Sequence, residues 1–276
     1  MAPLASLGQS KKDSKANEGY KITLKMEGRG NTYTVRDSQT VNGKLNVKKR
    51  SKQADSMVIM GNYWGNVNVP FDTGYYNTKK KIWVFEGKEK APRGIYWFLF
   101  ENRTIVEFVI NDIQHFNVIG DTADNYITNL HFEGNDENDR YADYKRRSMY
   151  FGKSIYDISK KIEVTVDEKQ QAALVEKRSG LYKERIDYMT GFIKDYPDDL
   201  FTQFILALKP LDVPSLKKKD GSTDTAGQYY FYKDHFWDNV NLTEAGLVRT
   251  PEGMLFEKMN SYFMNVIPQH PDTAIV

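Results

Sequence analysis

With 276 residues, 40% of them hydrophobic and 28% charged, the chain carries enough apolar material for one large soluble domain or two ordinary ones. Its 39 Lys and Arg stand against 37 Asp and Glu, and a formal net charge of +2 argues against a nucleic-acid binder, which needs a concentrated basic excess. Cysteine is absent, which excludes disulfides, cysteine-ligated zinc, thiol catalysis and cysteine lipidation within these residues, and no apolar run approaches the ~20 residues of a membrane helix.

In chain order, residues 2–9 run from apolar to small and turn abruptly polar at Ser10-Lys11-Lys12-Asp13. This matches the tail of a secretory signal peptide cleaved near Gly8 and Gln9, without the basic start, and equally a frayed terminus. Residues 1–18 are expected to be a signal remnant and a flexible arm. From Tyr20 the pattern alternates: Tyr20, Ile22, Leu24 and Met26 share one face of a half-buried strand, turned by Gly28-Arg29-Gly30-Asn31. Further short strands are predicted at 32–35, 44–48, 57–64, 66–69, 75–76, 81–85, 94–100, 104–110, 116–119 and 127–132, bounded by Gly, Pro, Asn or Asp. Glu101-Asn102-Arg103 between two strong strands predicts a hairpin. So many short strands indicate an antiparallel sandwich or open barrel over 19–134.

After Gly134 the period changes. Tyr141, Tyr144, Phe151, Ile155, Ile158 and Ile162 recur at helical intervals, with Asn135 or Asp136 placed to cap the helix. Helices are also predicted at 167–194, 200–208, 229–236 and 254–266, with a solvated loop at 217–222. The fold class is therefore α+β, with an antiparallel β domain at 19–134 followed by an all-helical domain at 135–276. Pro271 and Asp272 open a further helix that stops at Val276, so the helical domain is expected to be truncated, with Phe256, Met259 and Phe263 partly uncovered.

Chemistry is hard to find. His115, His131, His235 and His270 lack metal-ligand spacing, and neither GxSxG, GxGxxG nor a P-loop occurs. The acidic run Asn135-Asp136-Glu137-Asn138-Asp139 lacks the order and glycine of a calcium loop, so helix capping is the expected role. Two aromatic runs, Ile95-Tyr96-Trp97-Phe98 and Tyr229-Tyr230-Phe231-Tyr232, suit either core packing or the stacking of sugars and partners, and strand alternation favours the core. Catalytic, cofactor-binding and metal residues are therefore all assigned as none.

Several segments resemble a known arrangement. Phe85-Glu86-Gly87-Lys88-Glu89-Lys90-Ala91-Pro92-Arg93-Gly94-Ile95-Tyr96, Phe108, Asp121-Thr122 and 132–138 are similar to an uncharacterised β domain of Bacteroidetes envelope proteins. Residues 229–237, Leu247-Val248-Arg249-Thr250-Pro251 and Pro268-Gln269-His270-Pro271-Asp272 resemble the helical domain of unknown function that often follows it. In that family a TlpA-like thioredoxin domain with a Cys-x-x-Cys pair usually comes next. This chain departs from the pattern: it holds no cysteine, so it cannot exchange disulfides, and the family's redox residues have no positions here. The resemblance implies an exported, envelope or periplasmic accessory region without cofactors. Its partner would be a C-terminal thioredoxin-like domain or that domain's client protein. The alternative is a stand-alone envelope module binding a glycan or peptide.

Overall fold

The structure is a computed structural model describing residues 19–27, 32–41, 44–53, 57–101, 103–121, 130–251 and 254–267. The expected arm at 1–18, the turn at 28–31, Asn102, His270 and the helix start at Pro271 lie outside the described residues. Ten strands are described: β1 (Tyr20–Glu27), β2 (Thr32–Val41), β3 (Lys44–Gln53), β4 (Met57–Trp64), β5 (Val67–Asn77), β6 (Ile82–Gly87), β7 (Gly94–Leu99), β8 (Ile105–Ile110), β9 (His115–Asp121) and β10 (His131–Glu133). Eight form one sheet in the order β10-β9-β1-β6-β5-β4-β7-β8, and β2 and β3 form a separate ribbon.

Why the sheet curls follows from its connections. In a flat sheet β8 and β9 would stand six strand spacings apart, roughly 29 Å. The link between Ile110 and His115 reaches only about 18 Å when extended. The sheet therefore wraps into a half-barrel, with the helices following, and the fold is α+β.

The local alternation holds well in β1, where Tyr20, Ile22, Leu24 and Met26 are all buried. The pairing of β7 with β8 is the expected hairpin, closed by Phe100 N–H donating to the Thr104 carbonyl. Two features differ from the expectation. First, β1 pairs with β9 in parallel, Lys21 opposite His115 through Glu27 opposite Asp121, whereas the other paired strands are antiparallel. Second, the two short strands expected at 66–69 and 75–76 are one strand, β5. Pro70 interrupts its sequence pattern and is accommodated opposite Gly61, where the register with β4 shifts.

Aromatic rings fill the concave interior. Phe85, Phe98, Phe108, Phe116 and Phe132, one from each of β6 to β10, form a continuous series with centroids 4.4–6.4 Å apart. On the outer side, Ile95 and Val109 are covered by helical residues including Tyr141, Phe201, Phe204 and Leu247. That covering explains why five consecutive residues of β7, from Gly94 to Phe98, are buried on both faces, which alternation alone does not predict.

The helices are α1 (Asp136–Val164), α2 (Glu168–Asp195), α3 (Leu200–Leu208), α4 (Thr225–His235) and α5 (Leu255–Ser261), the last followed by a wide turn at Tyr262–Val266. α1 and α2 pack together over Phe151, Ile155, Ile158 and Leu181. Asp167 caps α2 by accepting from Gln170 N–H at 2.8 Å. A 3₁₀ turn, Ala245–Val248, leads into Arg249, whose carbonyl accepts from Ile95 N–H at 2.8 Å. Gly65 at φ +62° makes room for the Phe256 ring, because a Cβ there would lie 2.7 Å from it. Phe263 remains exposed.

Candidate functional site

The acidic run at the start of α1 performs a structural task. Asn138 is fully buried, and its side-chain amide accepts from Val109 N–H at 2.6 Å and donates to the Val109 carbonyl at 2.8 Å. It thus stands in for the missing neighbour of β8, the last strand of the sheet. Gln114 pairs in the same way with the backbone of Ala91 at 2.8 Å on both bonds. Glu137 accepts from the Asn111 amide at 2.5 Å and from Phe201 N–H at 2.7 Å, so it serves the start of α3 from the start of α1. Arg140 grips Asp199 through two bonds of 2.7 Å, beside the same helix start. Asn135 does occupy the capping position of α1, but its side chain makes no capping bond. It donates instead to Asn111 and to the Ile113 carbonyl.

Burial pushes the Glu137 carboxyl above its ordinary range; the bonds from Asn111 and Phe201 oppose this only in part. A carboxyl raised in the native state binds a proton that the unfolded chain has already released. Its contribution to stability is therefore fullest below the unfolded value of about 4.5 and is lost as pH rises through the folded one. Glu137→Gln should accordingly gain stability relative to the unsubstituted protein between about pH 4 and pH 7. Urea titrations of both proteins across that range check this, and a constant difference would show an ordinary carboxyl.

A second polar cluster anchors α1 on the sheet. Glu107 accepts from the Tyr63 hydroxyl at 2.5 Å and the Tyr141 hydroxyl at 3.2 Å, and pairs with Lys145. Burial, reinforced by the Glu107 charge, holds both phenols protonated well above their ordinary range, so they remain donors. These contacts brace β4, β8 and α1 against one another.

The three described histidines lie apart from one another. His115 lies 2.8 Å from the Gly19 carbonyl, His131 is 3.1 Å from Asp139 and His235 is 2.6 Å from Asp238. Among the described residues no group of three or more His, Asp or Glu could hold a metal ion.

Two hollows stand out among the described residues. One, about 590 Å³, lies on the convex face of β1, β5 and β6, bounded by the Lys21–Glu86 ion pair, Asp72 and Tyr75, the last 70% exposed. The other, about 300 Å³, lies between the end of α3, α4 and α5, with Leu208, Pro210 and Met254 as apolar walls and Tyr232 and Phe236 as rings. Here the two aromatic runs part company. Ile95, Tyr96, Trp97 and Phe98 are all buried, half of them by the strand's alternation and half because helices cover the outer face. On α4, Tyr230 is exposed and Tyr232 stands edge-on to Phe236 at 5.4 Å, lining the hollow.

Lys258 on α5 completes this groove. Its ammonium lies 5.0 Å from the Phe236 centroid and 6.0 Å from that of Trp237. Burial lowers its pKa. Sequence reasoning misses it, because a single lysine on a short helix carries the signature of a solvated position. The α3–α5 groove, open and bounded by Tyr232 and Phe236 with Lys209, Glu257 and Lys258 beside them, is the candidate site. Comparison with family models, curated proteins and solved structures gives no match.

Proposed function

We propose that this chain is a non-catalytic binding module that positions a redox domain or recognises its client proteins in the cell envelope. The observation that carries the reading is the division of labour among its polar groups. Glu107, Glu137, Asn138, Arg140 and Asp199 are committed to contacts inside the protein, whereas the open α3–α5 groove sets Lys209, Glu257 and Lys258 beside apolar and aromatic walls. The redox partner is inferred from the resemblance of the two halves to the regions preceding TlpA-like thioredoxin domains, together with the lack of any cysteine of its own. The purified chain should not accelerate insulin disulfide reduction; catalysis above background would overturn the reading. The codons after Val276 discriminate further. A Cys-x-x-Cys on a βαβ pattern supports this reading, and a stop codon favours a stand-alone glycan- or peptide-binding module, for which exposed Tyr75 beside the convex hollow is the supporting feature.

A further inference from the structure

Lys258 presents an unusual imbalance. Its ammonium is half-buried over two rings, and among the described residues no hydrogen bond or ion pair engages it. Burial is the cause that moves its pKa, with no charge among the described residues contributing. A cation withdrawn from water without a counter-charge is costly, and ring faces compensate only in part. An anion seated in the adjoining hollow would supply the missing partner.

We propose that the groove between α3, α4 and α5 binds a singly charged carboxylate carried on an apolar or aromatic body, with the carboxylate against Lys258. The walls define the body: Leu208, Pro210 and Met254 offer apolar contact, and Tyr232 and Phe236 offer ring edges and faces. The volume of about 300 Å³ is that of a small-ligand site. Lys209 and Glu257 also line the groove, so its two lysines and one glutamate leave a single net positive charge, which suits one carboxylate better than a multiply charged phosphate. Two sources share this chemistry: a free small acid, and the C-terminal carboxylate of a peptide ending in an apolar residue. This inference rests on the binding-module reading and names the ligand class of its groove.

Calorimetry on the full chain tests it with four probes: phenylpropionate, phenylpropionamide, acetyl-Gly-Gly-Phe with a free carboxylate, and the same peptide amidated. At least one acid should bind ten-fold or more tightly than its amide. Lys258→Gln should abolish that preference and Lys258→Arg should keep most of it. Whichever acid binds identifies the source. Because losing the lysine stem can itself unfold the domain, carbon-13 methylation of the lysines gives a second readout, with the Lys258 resonance identified by its absence from Lys258→Arg. That resonance should move with the acid and stay fixed with the amide. Equal binding of acid and amide, a preference that survives Lys258→Gln, or an unmoved resonance overturns the carboxylate assignment and leaves the binding-module reading standing. Failure of all four probes to bind overturns the groove as a carboxylate site. Insulin reduction by the chain, by contrast, would overturn the module reading without touching the groove result.

Discussion

Phe108→Ala is expected to lower the free energy of unfolding by about 3–5 kcal/mol, the cost of emptying a fully buried aromatic site that cannot collapse. Phe108 is completely buried on β8. Its ring stacks on Phe98 at 4.4 Å and contacts Tyr96 and Phe116 at 6.1 Å each. Phe98 and Tyr96 come from β7, the neighbour of β8, whereas Phe116 comes from β9, six places from β8 in the sheet order, a separation that only curling can reconcile. Phe108 therefore joins the two flanks of the half-barrel across its interior. Both flanks are held by backbone pairing, so neither can move in to fill the void. In a chain of this size such a loss lowers the melting temperature by roughly 10 °C. Urea and thermal unfolding of Phe108→Ala, with Phe108→Leu as a milder comparison, measure it. A loss below about 1 kcal/mol would mean that the interior is not packed as described.

Asn138→Leu should cost about 2–4 kcal/mol for a different reason: it leaves two buried backbone groups of Val109 without partners, at about 1–3 kcal/mol each. Leucine keeps the branched outline of asparagine with two methyls in place of the amide oxygen and nitrogen, so crowding adds to the cost but the missing bonds dominate. Asn138→Asp makes the point more sharply. It keeps an acceptor for Val109 N–H but turns an oxygen toward the Val109 carbonyl, where the amide now donates. A comparable loss is expected, and exchange of the Val109 amide proton should quicken in both variants. If Asn138→Leu costs less than about 1 kcal/mol, the outer edge of β8 does not depend on α1 for its hydrogen bonds.

Local pattern revealed much of this fold. The alternation in β1, the hairpin at β7–β8, the start of α2 near Asp167 and the bounds of α3 could all be read from neighbouring residues, because burial of one face and helix boundaries are local properties. Pairing partners are not local. Nothing in 20–27 announces that its parallel neighbour lies at 115–121, since side-chain periodicity records which face is buried and not which strand is adjacent. The polar interior was hidden for another reason. Asn111, Gln114, Asn135 and Asn138 belong to residue types that commonly make turns and caps, yet here they are buried and bonded to the sheet and its links. Of the candidate groove, only the aromatic run on α4 stood out in the sequence. Its cation comes from a different helix, brought alongside by tertiary packing.

The place of β1 sets a temporal constraint on making this protein. It is the first described strand to leave the ribosome, yet it occupies an interior position in the finished sheet, between β6 and β9. The contacts Lys21–Glu86 and Thr23–Asn117 span 65 and 94 residues. Its pairing on the second side cannot be completed until synthesis has passed Asp121. Until then the apolar stripe from Tyr20 to Met26 belongs to a nascent chain with nowhere to complete its ladder, while the β4–β5 and β7–β8 pairs can form from nearby residues. The amino terminus is the first part of the sheet to be made and among the last to be enclosed.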